Sequence, residues 1–356
     1  MIAFDFRPRT RVLFGPGEFA RLGEVAREHN ATRCLLLADQ AMLDAGYAQE
    51  AIRSLKARRM EVFAFHDFQP NPTVEMVSAA CQYAAPHDVN IIVGMGGGSA
   101  LDFTKAVNVV ISNGGSLDGY WGYGNVPKPL LPMLAVPASA GAGSEALTTA
   151  SIAHDGKEMT CGDPKMFFRA AILDPKLTLS QSPAATAAGG FEAISHALET
   201  LVSTRRTSIS ECFSREAWRL LDNHFEHVLQ VPEDLDGRAA LLLGAHFAGL
   251  AVEYAALGPA HACAQPLVEN FRLAPGSAIA LVLASAMEWL GEPTYRLRRL
   301  GRIAETAGIP VCLRDTSIPE HALPRLAEEA AGQWTARFSA RPFDAQAALE
   351  IYRAAY

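Results

Sequence analysis

Residues 90–107, NIIVGMGGGSALDFTKAV, constrain this chain more than any other stretch. An apolar strand, Ile91-Ile92-Val93, leads into a turn, Gly94-Met95-Gly96-Gly97-Gly98. Helical periodicity then starts at Ser99, with Asp102 expected in the first helical turn. Glycines allow close backbone approach to a ligand, and the unpaired N–H groups and dipole of a helix start favour an anion. These residues have the physics of a phosphate or pyrophosphate seat. The spacing is not that of the G-x-G-x-x-G fingerprint, and the Gly-Lys-Ser/Thr end of a P-loop is missing. An ordinary strand–turn–helix with a glycine-rich corner has the same pattern.

The preceding residues alternate strand and helix. Strands are expected at 10–14, 33–37 and 60–65, and helices at 17–29, 49–58 and from Thr73 after the break Pro70-Asn71-Pro72. Such alternation predicts an α/β layer with a largely parallel sheet, which binds ligands at the carboxyl ends of its strands. Asp39, Asn71 and Gly96–Ser99 fall at such ends. An acid at Asp39 suits a ribose diol and repels a 2′-phosphate, favouring NAD over NADP; a helix N-cap explains it equally well. Another strand, 130–136, ends in the small-residue turn PASAGAGSE. Residues 148–174 read as an irregular β excursion, and beyond Ser182 only helical periodicity is seen. The expected domains are 1–182, α/β, and 183–356, all-helical.

The chain is 356 residues long with a net charge of -7, and no basic–aromatic run suggests nucleic acid. Its longest apolar run, 278–287, is too short to span a bilayer, and the N-terminal segment has no apolar signal core. Six scattered cysteines without a C-x-x-C pair suit a reduced, cytoplasmic protein.

Three patches carry candidate chemistry. Glu192 and His196, at i and i+4, share a helix face and suit a divalent metal, as they also suit a salt-bridged surface. His261 lies in the small-residue run GPAHACAQPL, as an occupied-site residue or as a satisfied core histidine. His224 and His227 flank Phe225-Glu226 in a polar helical stretch and read as a solvated face.

Together these stretches resemble the iron-containing (group III) alcohol dehydrogenases of the dehydroquinate-synthase-like fold. The matching segments are RVLFGPG, PNPT (70–73), GGGSALDFTKA (96–106), PASAGAGSE (137–145), ILDPKLT (172–178), GGFEAISHALET (189–200) and GPAHACAQPL (258–267), in order and nearly end to end. The resemblance implies a Rossmann-like dinucleotide-binding domain, a helical domain, and a cleft holding NAD(P) and a metal. It assigns Asp39 to the ribose, Asn71 to the next strand end, and Gly96, Gly97, Gly98, Ser99 and Asp102 to the pyrophosphate loop and its helix. Ala138 and Ser139 stand where two threonines usually approach the nicotinamide. Lys157 and Glu158 lie where the family often has a lysine.

The metal site departs from the family pattern of one aspartate and three histidines. Glu192 replaces the aspartate, His196 and His261 match two histidines, and the third falls on Pro275. Gln265 replaces a histidine often placed beside the substrate. The expectation is an NAD-dependent alcohol dehydrogenase or aldehyde reductase acting on a small alcohol or carbonyl, with His261 and Gln265 at the reacting group. Fe2+ or Zn2+ would be held by Glu192, His196, His261 and water. The alternatives are a metal-independent enzyme like the maleylacetate reductases, a nucleotide-binding protein with a decayed site, and, last, a dehydroquinate-synthase-like lyase. The family analogy also implies a homodimer.

Overall fold

The structure, a computed structural model, describes residues 3–356. The elements in order are β1 (Arg11–Phe14), α1 (Leu22–Glu28), β2 (Arg33–Ala38), α2 (Gln40–Asp44), α3 (Tyr47–Ala57), β3 (Glu61–Phe65), α4 (Val74–Ala84), β4 (Ile91–Gly96) and α5 (Gly98–Asn113). Then come β5 (Gly122–Tyr123), β6 (Met133–Pro137), β7 (Thr149–His154), β8 (Lys157–Gly162) and β9 (Ala170–Leu173). The remaining helices are α6 (Pro183–Val202), α7 (Ser208–Gln230), α8 (Leu235–Glu253), α9 (Pro259–Phe271), α10 (Pro275–Trp289), α11 (Thr294–Ala307), α12 (Leu323–Ala331) and α13 (Ala345–Ala355).

Two compact units result. One comprises Arg7–Ser139 and Gly143–Gln181; the other comprises residues 3–6, Ala140–Ala142 and Ser182–Tyr356. In the first unit, six parallel strands run in the order β1-β9-β6-β4-β2-β3. The central strands β2, β4 and β6 are continuous buried runs, as sheets covered on both faces require. Their register pairs Ala38 with Met95 and Gly96 with Pro137. The carboxyl ends of three neighbouring strands therefore finish level, which is where an open α/β sheet builds its ligand site. In the second unit, Phe191, Ile194 and Leu198 of α6 belong to a core shared with Phe225 of α7, Leu241 of α8, Leu267 of α9 and Leu283 of α10.

Several local expectations need correction. Gly94–Gly96 complete β4 instead of forming the turn, and α5 starts at Gly98. Asp102 lies beyond the first turn of α5. Residues 149–162 form a regular antiparallel hairpin, because Asp155-Gly156, both at positive φ, give β7 and β8 a tight connection. Helix α8 is long and apolar enough to cross a membrane by length and composition, and 56% of that window is buried within the protein. The apolar run at 278–287 lies inside the buried α10.

Gly190 of α6 sits against the ring of Phe225, and an added Cβ would overlap that ring. We expect Gly190→Val to lose about 1–3 kcal/mol by overpacking. Gly301, exposed on α11 with open space at its Cβ position, is the control: Gly301→Ala is expected to gain roughly 0.5–1 kcal/mol from helix propensity. Thermal unfolding of the two variants beside wild type checks both signs.

Candidate functional site

The glycine corner is built by three strand ends. After β2 the chain reaches Asp39, the N-cap of α2, whose Oδ1 accepts the Met42 N–H at 3.1 Å. Its other oxygen, Oδ2, accepts the Gly97 N–H at 3.1 Å. Gly96 has φ +138°, and an added Cβ would run into the Asp39 carboxylate. Glycine is thus required there by both conformation and space. From β6, the Ala138 N–H donates to the Gly96 carbonyl at 2.9 Å. Ser139 places its Oγ 3.3 Å from the position of a Cβ on Gly97. Gly97, the N-cap of α5, makes no side-chain cap, and Gly98 and Ser99 occupy the open first turn. The N–H groups of Gly98 and Ser99, in the uncapped first turn of α5, are of the kind that favours an anion.

Asp39 takes the helix-cap role considered from sequence, and its second oxygen holds the Gly97 N–H of the glycine corner. Its carboxyl pKa is raised from the ordinary value, chiefly by burial, while the amides of Gly97, Met42 and Ala41 pull it down. Asn71 lies on an exposed bend with φ 58°, between the two prolines that precede the Thr73 cap of α4. Asp102 is turned to other work. It pairs with the fully buried Lys105 at 3.1 Å and accepts the Ser151 N–H at 3.0 Å, tying α5 to β7. Lys105 also donates to the Thr149 carbonyl at 2.6 Å. Lys157 and Glu158 begin β8 as exposed residues.

In the helical unit, α6 and α9 present the second group. His196 and His261 lie with ring centroids 5.0 Å apart and planes tilted by 38°. His196 is buried, and its pKa falls well below the usual histidine value, first from burial and then from neighbouring His261; the Ala142 carbonyl opposes this. Its Nδ1 is buried without a hydrogen-bond partner. His261 is held differently: its Nδ1 bonds Oε2 of Glu199, on α6. Glu199 is 1% exposed, and its Oε1 accepts the Ala260 N–H at 2.7 Å, at the start of α9. A helix N-terminus favours a carboxylate. A carboxylate can only accept, so the His261 proton sits on Nδ1 and the Nε2 lone pair is left for chemistry. Glu199 was not singled out in the sequence. Its signal was its place at i+7 from Glu192 and i+3 from His196, on the same helix face.

The iron-binding pattern implied by the resemblance was tested against these residues. Among the described residues, no three His, Cys, Asp or Glu side chains form a group able to hold an ion. The expected set of Glu192, His196 and His261 is therefore not assembled. Oε2 of Glu192 lies 3.6 Å from the position of a Cβ on Gly141. Pro275 is the first residue of α10, and it offers no donor. Gln265 is engaged with Glu269, Nε2 to Oε1 at 3.1 Å. With Pro275 at the third histidine position, at most Glu192, His196 and His261 remain of the four-ligand family pattern.

A parallel-sheet unit with a glycine corner at its strand ends, and a helical unit with buried His196 packed against partly exposed His261, suit an oxidoreductase of the CH–OH class. The sequence matches iron-containing alcohol dehydrogenase over residues 8–175 and the C-terminal region of the Fe-containing alcohol dehydrogenase family over residues 186–307. This chain belongs to the iron-containing alcohol dehydrogenase family, and its activity is that of an alcohol dehydrogenase or aldehyde reductase. It is similar to choline dehydrogenase of Bacillus subtilis, 30% identical across 85% of this chain and 76% of that protein. It is similar also to NAD-dependent methanol dehydrogenase of Bacillus methanolicus, 28% identical across 76% of this chain and 71% of that one. The solved 1,3-propanediol oxidoreductase superposes with a TM-score of 0.95, at 25% identity and full coverage of both chains.

The raised pKa of Asp39 fixes the sign of a pH effect. Below 3.8 both folded and unfolded chains are protonated, and its contribution to stability is fully present. Above that, the folded chain keeps a proton that the unfolded chain has released, so stability is lost as pH rises through the folded value. Urea unfolding should show wild type losing stability relative to Asp39→Asn as pH climbs from about 4 toward 7. The opposite slope would show that the amides outweigh burial.

Proposed function

We propose that this chain is an NAD(H)-dependent dehydrogenase/reductase of small alcohols and aldehydes, in which His261 handles the proton. The observation that carries this is the buried Glu199 carboxylate, which fixes the His261 tautomer and leaves Nε2 as an acceptor. In the oxidative direction, the alcohol O–H gives its proton to Nε2 and the carbinol C–H gives hydride to nicotinamide C4. The products are carbonyl and NADH. In reduction, hydride moves from C4 to the carbonyl carbon, and protonated Nε2 delivers the proton to oxygen. Glu199 acts through His261 as a positioning residue. The Gly96–Ser99 corner takes the pyrophosphate, and Asp39 disfavours a 2′-phosphate by charge.

Neutral His196 beside His261 supports the same chemistry, because it keeps a second cation away from the proton acceptor. Gln265, whose Nε2 donates to Glu269 Oε1, is proposed to lie on the substrate side, where its family counterpart is a histidine.

NADH binding followed by fluorescence, with reduction of short aldehydes followed at 340 nm in the nicotinamide band, tests this. NADH should bind more tightly than NADPH. We expect His261→Asn to lower kcat by about 10²–10⁴ while leaving NADH binding intact. Glu199→Gln should lower kcat and leave the KM for NADH nearly unchanged, with activity regained in Glu199→Asp. Wild-type activity in His261→Asn would remove His261 from the reaction.

A further inference from the structure

Pro275 stands at a position the helical frame keeps in place. It opens α10, and the next residue, Gly276, lies so close to α6 that a Cβ there would overlap the Ala188 carbonyl. Ala188, Glu192 and His196 are spaced i, i+4, i+8 along α6 and follow one stripe. The start of α10 is thus pinned against the stripe that carries His196. A histidine at 275 has a nitrogen donor to offer there, and proline has none.

Glu199 and Gln265, two candidate substitutes for that donor, are engaged with other partners. Both oxygens of Glu199 are used, one by the Ala260 N–H and the other by His261 Nδ1. The Gln265 amide is turned to Glu269. Cys263 is fully buried within the core of the helical unit. His196 and His261 remain as two imidazoles with ring centroids 5.0 Å apart, with Glu192 one helical turn before His196 on α6.

We infer that this member of an iron-containing family holds no resident metal at its histidine pair, and that Pro275 is the residue responsible. This rests on the proposed reaction only in that His261 then serves as the proton-transfer group. The start of α10 keeps its place against α6, with proline at the position of the third family histidine.

Metal counting tests it without reference to turnover. The wild-type chain is purified without chelator, incubated with zinc or, anaerobically, with ferrous iron, and desalted. Plasma mass spectrometry is expected to find metal far below one ion per chain. Pro275→His, treated identically, is expected to retain zinc near one ion per chain, and the Pro275→His/His196→Ala double variant to lose it. Stoichiometric metal on wild type, removed in His196→Ala, would overturn the inference. So would a Pro275→His chain that is folded by circular dichroism yet takes up no more zinc than wild type. The two claims fail separately. A metal-free wild-type chain that binds NADH and turns over no carbonyl leaves this inference standing and sinks the proposed reaction. A chain that turns over aldehydes only with its bound metal does the reverse.

Discussion

The proposed chemistry rests on the bond between buried Glu199 and His261. A carboxylate at 1% exposure is costly unless its oxygens are satisfied. Here one oxygen takes a backbone N–H at the N-terminus of α9 and the other takes the imidazole that the same helix carries. Helix start, carboxylate and imidazole therefore form one unit: moving α9 would break both bonds at once. Gly258, just before the helix, leaves room for this approach, since a Cβ there would sit 3.3 Å from Glu199 Oε1. The arrangement sets which nitrogen of His261 bears the proton, which is what an acid–base group must have fixed before it can act.

The α/β unit uses the same device. Asp39 is a half-buried carboxylate whose oxygens take two backbone amides, Met42 of its own helix and Gly97 of the neighbouring loop. Gly96 is the residue that lets that loop pass the carboxylate. In both units an acid at an element boundary anchors a functional segment through main-chain donors. That scheme tolerates wide sequence divergence, because backbone amides do not change with the side chain.

Much of this was legible in the sequence. The alternation of strand and helix gave a parallel sheet, and the run from Gly94 to Ser99 located its ligand end, because glycine clusters and apolar runs are local signals. Local signals also set the limits. The extent of β4 was misjudged because its last residues are glycines, which read as a turn until pairing with β6 extends the strand. The partners of Asp102, Lys105 and the Ser151 N–H, were not legible, because Ser151 lies 49 residues away. Glu199 escaped notice because its importance comes from α9, 62 residues along the chain. The pairing of His196 with His261 was readable through the family resemblance; the loss at Pro275 was readable from the sequence, but how α10 abuts α6 needed the structure.

The central claim is that Glu199 holds His261 in one tautomer, with the proton on Nδ1. Imidazole nitrogen–proton correlation by NMR, on chain labelled with 15N at histidine and treated with chelator, tests it most directly. The account predicts a protonated Nδ1 with a strongly deshielded proton and an unprotonated Nε2 for His261, both altered in Glu199→Gln. A His261 ring protonated on Nε2 and bare at Nδ1, unchanged by that substitution, would contradict it.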